Sequence, residues 1–139
     1  MELYDIMKNI SRIDIEEELI DAISITRSQL EGLTEERMCK VYSSYLQEEL
    51  KKRHILARII NTIDLGLNYE HHFILISSND SNYILADLTF SQFETNTEFD
   101  QLLEKGYQYI DNKGLANYLS IINNKDITNQ ISVDNIFMK

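Results

Sequence analysis

Apolar residues return at helical spacing over the first third of the chain and then gather into short runs, so the elements read helices, strands, helices. Leu19, Ile20, Ile23 and Leu30 mark one face of a helix over residues 15–30. Asp14 and Glu17 stand at capping-box spacing before it, and Gly32 would end it. Thr34 is a cap for a second helix running to about residue 53, with Met38, Tyr42, Tyr45 and Leu50 on one stripe. Residues 55–62 are rich in branched side chains and read as a strand. Further on, residues 98–105 look helical with Gly106 as the stop, 107–110 form a short edge strand, and 114–122 a last helix. From Asn123 onward the chain is polar with scattered isoleucines, the pattern of a weakly docked end.

The middle of the chain predicts a geometry as well as elements. Phe73 to Ser77 and Asn82 to Asp87 flank Ser78, Asn79, Asp80 and Ser81, residue types that favour a tight turn, so the segment is expected to be an antiparallel hairpin. If Ser77 stands opposite Asn82, the sum of paired numbers stays constant outward and His72 falls opposite Asp87. Both side chains then leave one face, with Cβ atoms about 4.5–5.5 Å apart. His71 points to the other face; a one-residue slip would exchange the two histidines.

Composition narrows the classes. With 139 residues, 43% hydrophobic and 26% charged, the chain is expected to be one domain over 1–139 with a single core. It has no proline, few glycines, no linker and no repeat. No apolar stretch approaches the roughly 18 residues of a membrane span, and the first residues lack the blocks of a signal peptide, which predicts a cytoplasmic protein that engages no membrane. A net charge of −10 argues against phosphate backbones, so nucleic acid is not an expected partner. The one basic cluster, Lys51, Lys52 and Arg53, closes a predicted helix, where cations suit the dipole.

A single cysteine excludes an internal disulfide and leaves a thiol that is either inert core or chemically used. Alone, a cysteine on a helix is a small core residue, a His-His pair is a surface pair, and an Asp ending a strand is a turn former. Cys39, His72 and Asp87 together follow the order nucleophile, base, orienter. Pairing with an imidazolium makes thiolate the dominant form near neutral pH, and a carboxylate fixes the tautomer of the ring. The backbone N–H of Cys39 would stabilise an oxyanion if its helix begins there, whereas a cap at Thr34 would place it inside; Gln29 and Gln92 are amide donors by residue type. Cys39, His71, His72 and Asp87 are zinc-ligand types, but adjacent strand histidines diverge, so neither metal nor cofactor is expected. Tyr107, Tyr109 and Tyr118 are either groove or core aromatics, with core expected for at least two.

The stretch from Cys39 to Thr89 resembles the transglutaminase-like branch of the papain-like cysteine-enzyme superfamily. The likeness is carried by Cys39 opening a helix, His54-Ile-Leu-Ala-Arg58 in the place of a Gly-Ile-Pro-Ala-Arg-like segment, His72-Phe-Ile-Leu-Ile76 as the strand opened by a histidine, and Tyr83-Ile-Leu-Ala-Asp87-Leu-Thr89 as the Asp-Pro-Thr-like end. His54 stands where the family has glycine, and Leu56 and Leu88 where it has prolines. The resemblance implies an α+β fold, a helical N-terminal part with the nucleophile helix on a small antiparallel sheet, and catalysis by Cys39, His72 and Asp87. It implies cysteine-dependent acyl transfer on an amide, peptide hydrolysis first, with a peptide or protein substrate that a partner protein could present. Glutamine deamidation, transfer to an amine, and an inactive binding module of the same fold are the alternatives.

Overall fold

The computed structural model describes residues 3–32, 38–77, 82–93 and 97–123, with side chains from residue 15 onward. Among these, four α-helices and a four-stranded antiparallel sheet form an α+β arrangement with a helical N-terminal part. Helix α1 spans Leu3–Gln29 and α2 Cys39–Lys52; strands β1 (Arg58–Asn61), β2 (His72–Ser77), β3 (Tyr83–Ala86) and β4 (Tyr107–Ile110) follow, with α3 (Asp100–Lys105) before β4 and α4 (Asn112–Asn123) after it. Strand order in the sheet is the chain order, so every neighbour is a sequence neighbour.

Helices cover both faces of the sheet, which is why β2 reads as an unbroken apolar run rather than an alternation. Ile74, Ile76, Ile84 and Ala86 meet Leu19, Ile23, Leu30, Tyr42, Leu46 and Leu50 of the first two helices. Phe73, Leu75 and Leu85 face the other way into a second cluster with Leu102, Leu115, Tyr118 and Leu119 of α3 and α4, closed by Phe90 and Phe99. Fully burying a side chain of this size contributes about 1.5–3 kcal/mol.

Several local expectations shift. Helix α1 begins at Leu3, far ahead of the cap foreseen at Asp14, and Ile20 is exposed while Ala22 and Thr26 occupy the buried stripe. Tyr45 is exposed on α2, where Leu46 is buried in its stead. Helix α2 starts at Cys39 with Met38 as its cap residue; Thr34 lies outside the described residues, as do residues 78–81 of the hairpin loop and everything after Asn123. The strand foreseen over 55–62 is confined to Arg58–Asn61 because Thr62–Leu65 turns into a 3₁₀-helix capped by the Asn61 side chain. Residues 107–110 do form an edge strand.

The chain leaves α2 through a tight C-terminal motif. The N–H of Ile55 donates to the carbonyl of Leu50 and that of His54 to Lys51, with His54 at φ 61°, so the double hydrogen bond of a Schellman motif closes the helix. Arg53, at the cap, pairs with Glu18 and lies 3.8 Å from Asp21, both on α1. The basic cluster is thus bound in part to the neighbouring helix.

Candidate functional site

Three elements bring the chemistry-bearing residues together. Cys39 is the first residue of α2, so its backbone N–H and those of the next residues lack intrahelical acceptors and present the positive end of the helix dipole to the thiol. Helix α2 is fixed to the sheet by Ser43 Oγ donating to the His72 carbonyl at 3.3 Å and Gln47 Nε2 donating to the Ala57 carbonyl at 3.0 Å. His71 and His72 lie at the start of β2, and Asp87 directly follows β3.

The hairpin register differs by one residue from the sequence expectation. Ser77 pairs with Tyr83, and Ile74 with Ala86. Continuing outward, Asp87 stands beside Phe73 and shares the face that carries Phe73, Leu85 and Tyr118. His72 belongs to the opposite face, with Ile74 and Ile76. The expected His72–Asp87 pair is therefore corrected: His71 Nε2 lies 2.7 Å from Asp87 Oδ2, both side chains being fully enclosed. One added residue in the loop exchanges which histidine meets the carboxylate, because side chains alternate with period two.

Asp87 is saturated with donors. Tyr118 Oη donates to Oδ2 at 2.5 Å, while the Thr89 N–H and Oγ1 donate to Oδ1 at 3.0 and 3.1 Å. Its own N–H donates to the Gly106 carbonyl at 3.0 Å, which ties it to the turn between α3 and β4. Gly106 has φ 84°, the left-handed region that favours glycine, and a Cβ there would fall 2.5 Å from Leu88 Cδ2 and displace that side chain beside Asp87.

The His71 backbone is held from the other side. Thr62 Oγ1 accepts the His71 N–H at 2.8 Å and donates to the Tyr69 carbonyl at 2.5 Å, and the Thr62 N–H donates to the His71 carbonyl at 2.9 Å. Phe93 packs edge-on against the imidazole with centroids 4.9 Å apart. With Nε2 on Asp87, the enclosed Nδ1 makes no hydrogen bond among the described residues, and the Cys39 thiol acts on the ring through its charge.

The thiol thus has two imidazole neighbours. His72 Nδ1 is 3.7 Å from Sγ, so the expected Cys39–His72 contact exists, without the carboxylate behind it. His71 is the ring with that support. Burial pushes its imidazolium down, but the hydrogen bond to and charge of Asp87, helped by Cys39, reverse this and raise it to about 9. Burial likewise pushes the Cys39 thiol up, and the nearby His71 imidazolium with the His72 backbone N–H outweighs it, so the thiol lies below its ordinary value. His72 is lowered by burial, against the pull of Glu70.

No family model matches the chain, and neither a curated protein nor a solved structure matches it. Gln29 is exposed and lines a hollow with Tyr45, Glu48, Glu49 and Lys52 along the C-terminal half of α2, away from its Cys39 end, so it is not brought to the thiol. Gln92 rests on Thr89, its Nε2 3.4 Å from Oγ1. The first-turn amides of α2 and the His72 backbone N–H are the donors beside the thiol. Of the three tyrosines, of which at least two were expected in the core, Tyr118 and Tyr107 are buried and Tyr109 is exposed, and the Tyr118 hydroxyl also serves Asp87. The signal missed for His71 was the loop length, and for Thr62 a hydroxyl just past a strand end.

Proposed function

We propose that this chain is a cysteine-dependent acyl-transfer enzyme of transglutaminase-like type that acts on amide bonds, with hydrolysis of a peptide or protein substrate as its reaction. The observation that carries the reading is the enclosed His71–Asp87 pair, 2.7 Å from Nε2 to Oδ2, whose imidazolium lowers the neighbouring Cys39 thiol and whose Nδ1 is left without a hydrogen bond. In it Cys39 is the nucleophile, His71 the acid and base, and Asp87 the orienter. His54 adds support: where the resembling family has glycine, this backbone is left-handed.

The thiolate attacks the amide carbonyl and the oxyanion meets the N-terminus of α2. The His71 imidazolium gives its Nδ1 proton to the departing amine as the C–N bond breaks, leaving a thioester on Cys39 and a neutral ring. Water then releases the acid; an amine in its place would give transfer.

The test is the pH dependence of Cys39 alkylation by iodoacetamide in the native protein. Thiol titration well below about 8.5 is expected, abolished in His71→Ala and retained in His72→Ala. Slow alkylation indifferent to His71 would overturn the proposal and leave a binding module of the same architecture.

A further inference from the structure

The relay leaves an imidazole in contact with the thiol that acylation does not use. His72 Nδ1 lies 3.7 Å from Sγ, and its ring belongs to the face opposite Asp87. His71 is the more enclosed of the two rings, at 0% exposure, and its Nε2 is committed to Asp87. The His72 side chain is 9% exposed, so it is the thiol-contacting imidazole that reaches solvent. Glu70 Oε1 is 4.0 Å from His72 Nε2, which favours the tautomer with hydrogen on Nε2 and a basic Nδ1 towards Sγ.

We propose that His72 is the base of the second half-reaction, taking a proton from the water that hydrolyses the Cys39 thioester while His71 and Asp87 serve acylation. This rests on Cys39 being the acylated nucleophile. Nδ1 of His72 removes one proton from water as the oxygen bonds to the thioester carbon. The C–S bond then breaks, the carboxylic acid leaves, and Sγ accepts the proton from His72 Nδ1. The thiol passes it to His71 Nδ1, which restores the thiolate and imidazolium. Oxidation states do not change and no co-reactant is required. The groups facing His72 are Glu70, His71, Lys40 and Asp64. Burial, with the charges of His71 and Lys40, outweighs the two carboxylates and keeps the ring neutral.

The probe is p-nitrophenyl acetate, which needs no knowledge of the natural substrate. Wild-type protein is expected to release nitrophenolate in a burst as Cys39 is acetylated, with intact-mass spectrometry following the loss of the acetyl group. His72→Gln should keep the burst to within about twofold and lose the acetyl group roughly 100-fold or more slowly. It should also lose the low-pH inflection of the wild-type deacetylation rate. His71→Gln should lose the burst itself. Deacetylation of His72→Gln at the wild-type rate overturns the proposal, as does equal slowing of both steps, which would mark a positioning role. The iodoacetamide rate reports whether the variant keeps its fold, and His72→Asn replaces it where it does not. Absence of a burst in the wild type overturns the acyl-transfer reading itself, and this inference with it.

Discussion

Asp87 shows how a single buried carboxylate is held by several donors at once. Its carboxylate accepts from His71, Tyr118 and Thr89, so every change to one partner is felt by the others. Burial, followed by the Asp87 charge, raises Tyr118 well above the ordinary phenol value and keeps it a donor. Removing that donor has opposite consequences for stability and reactivity. In Tyr118→Phe the protein should lose about 1.5–3 kcal/mol in urea unfolding, because a hydrogen bond to a charged group is lost without leaving a buried hydroxyl. The freed carboxylate then holds the His71 imidazolium more strongly, so the alkylation profile of Cys39 should move to lower pH. A less stable protein with a less acidic thiol would contradict the relay. At this scale the sequence named Cys39 and Asp87 and chose the neighbouring histidine, since both rings fit the residue pattern and only the pairing selects between them.

Among the elements, α2 carries the most sequence-readable information and also the clearest local strain. Its buried positions Tyr42, Leu46 and Leu50 follow the helical repeat, while its start at Cys39 has no side-chain cap to announce it. Its end is defined by His54 at φ 61°, a region where a Cβ is unfavourable and glycine is at ease. The side chain is exposed, so little packing is at stake. His54→Gly should therefore stabilise the protein by roughly 0.5–1 kcal/mol, read as a higher urea midpoint with an unchanged slope. A loss of stability would mean that the imidazole makes a compensating contact. The hairpin teaches the complementary lesson. Its strands were legible from β-branched and aromatic runs bounded by turn residues, but the residue types of a loop do not count its length, and one residue decides the face.

For the whole molecule, the thiol and His71 couple folding to pH in opposing directions. His71 rises from an ordinary 6.5 to about 9 in the folded chain, so its contribution is complete below 6.5 and lost as pH rises through about 9. Cys39 is lowered from 9.0, so its contribution is present above that value and is lost as pH falls through the folded one. Between the folded and ordinary Cys39 values the unfolded state keeps a thiol proton that the folded state has lost, while between 6.5 and about 9 the folded state keeps a His71 proton that the unfolded state has lost, so the two slopes oppose each other where these ranges overlap. Replacing the thiol exposes the His71 part alone: Cys39→Ala should lose stability more steeply than wild type between about pH 6.5 and 9, measured by chemical denaturation at several pH values. Parallel curves would show that the two groups do not share a proton balance. The sequence by itself determined the element types, the helical N-terminal part on a small antiparallel sheet, and the residue types able to act, because these follow from local periodicity and side-chain chemistry. Only the tertiary structure decided that His71 meets Asp87, that Tyr118 and Thr62 support them, and that His72 is left beside the thiol on the other face. Those choices depend on strand register and on helices packing from opposite sides of the sheet, quantities that no local pattern encodes.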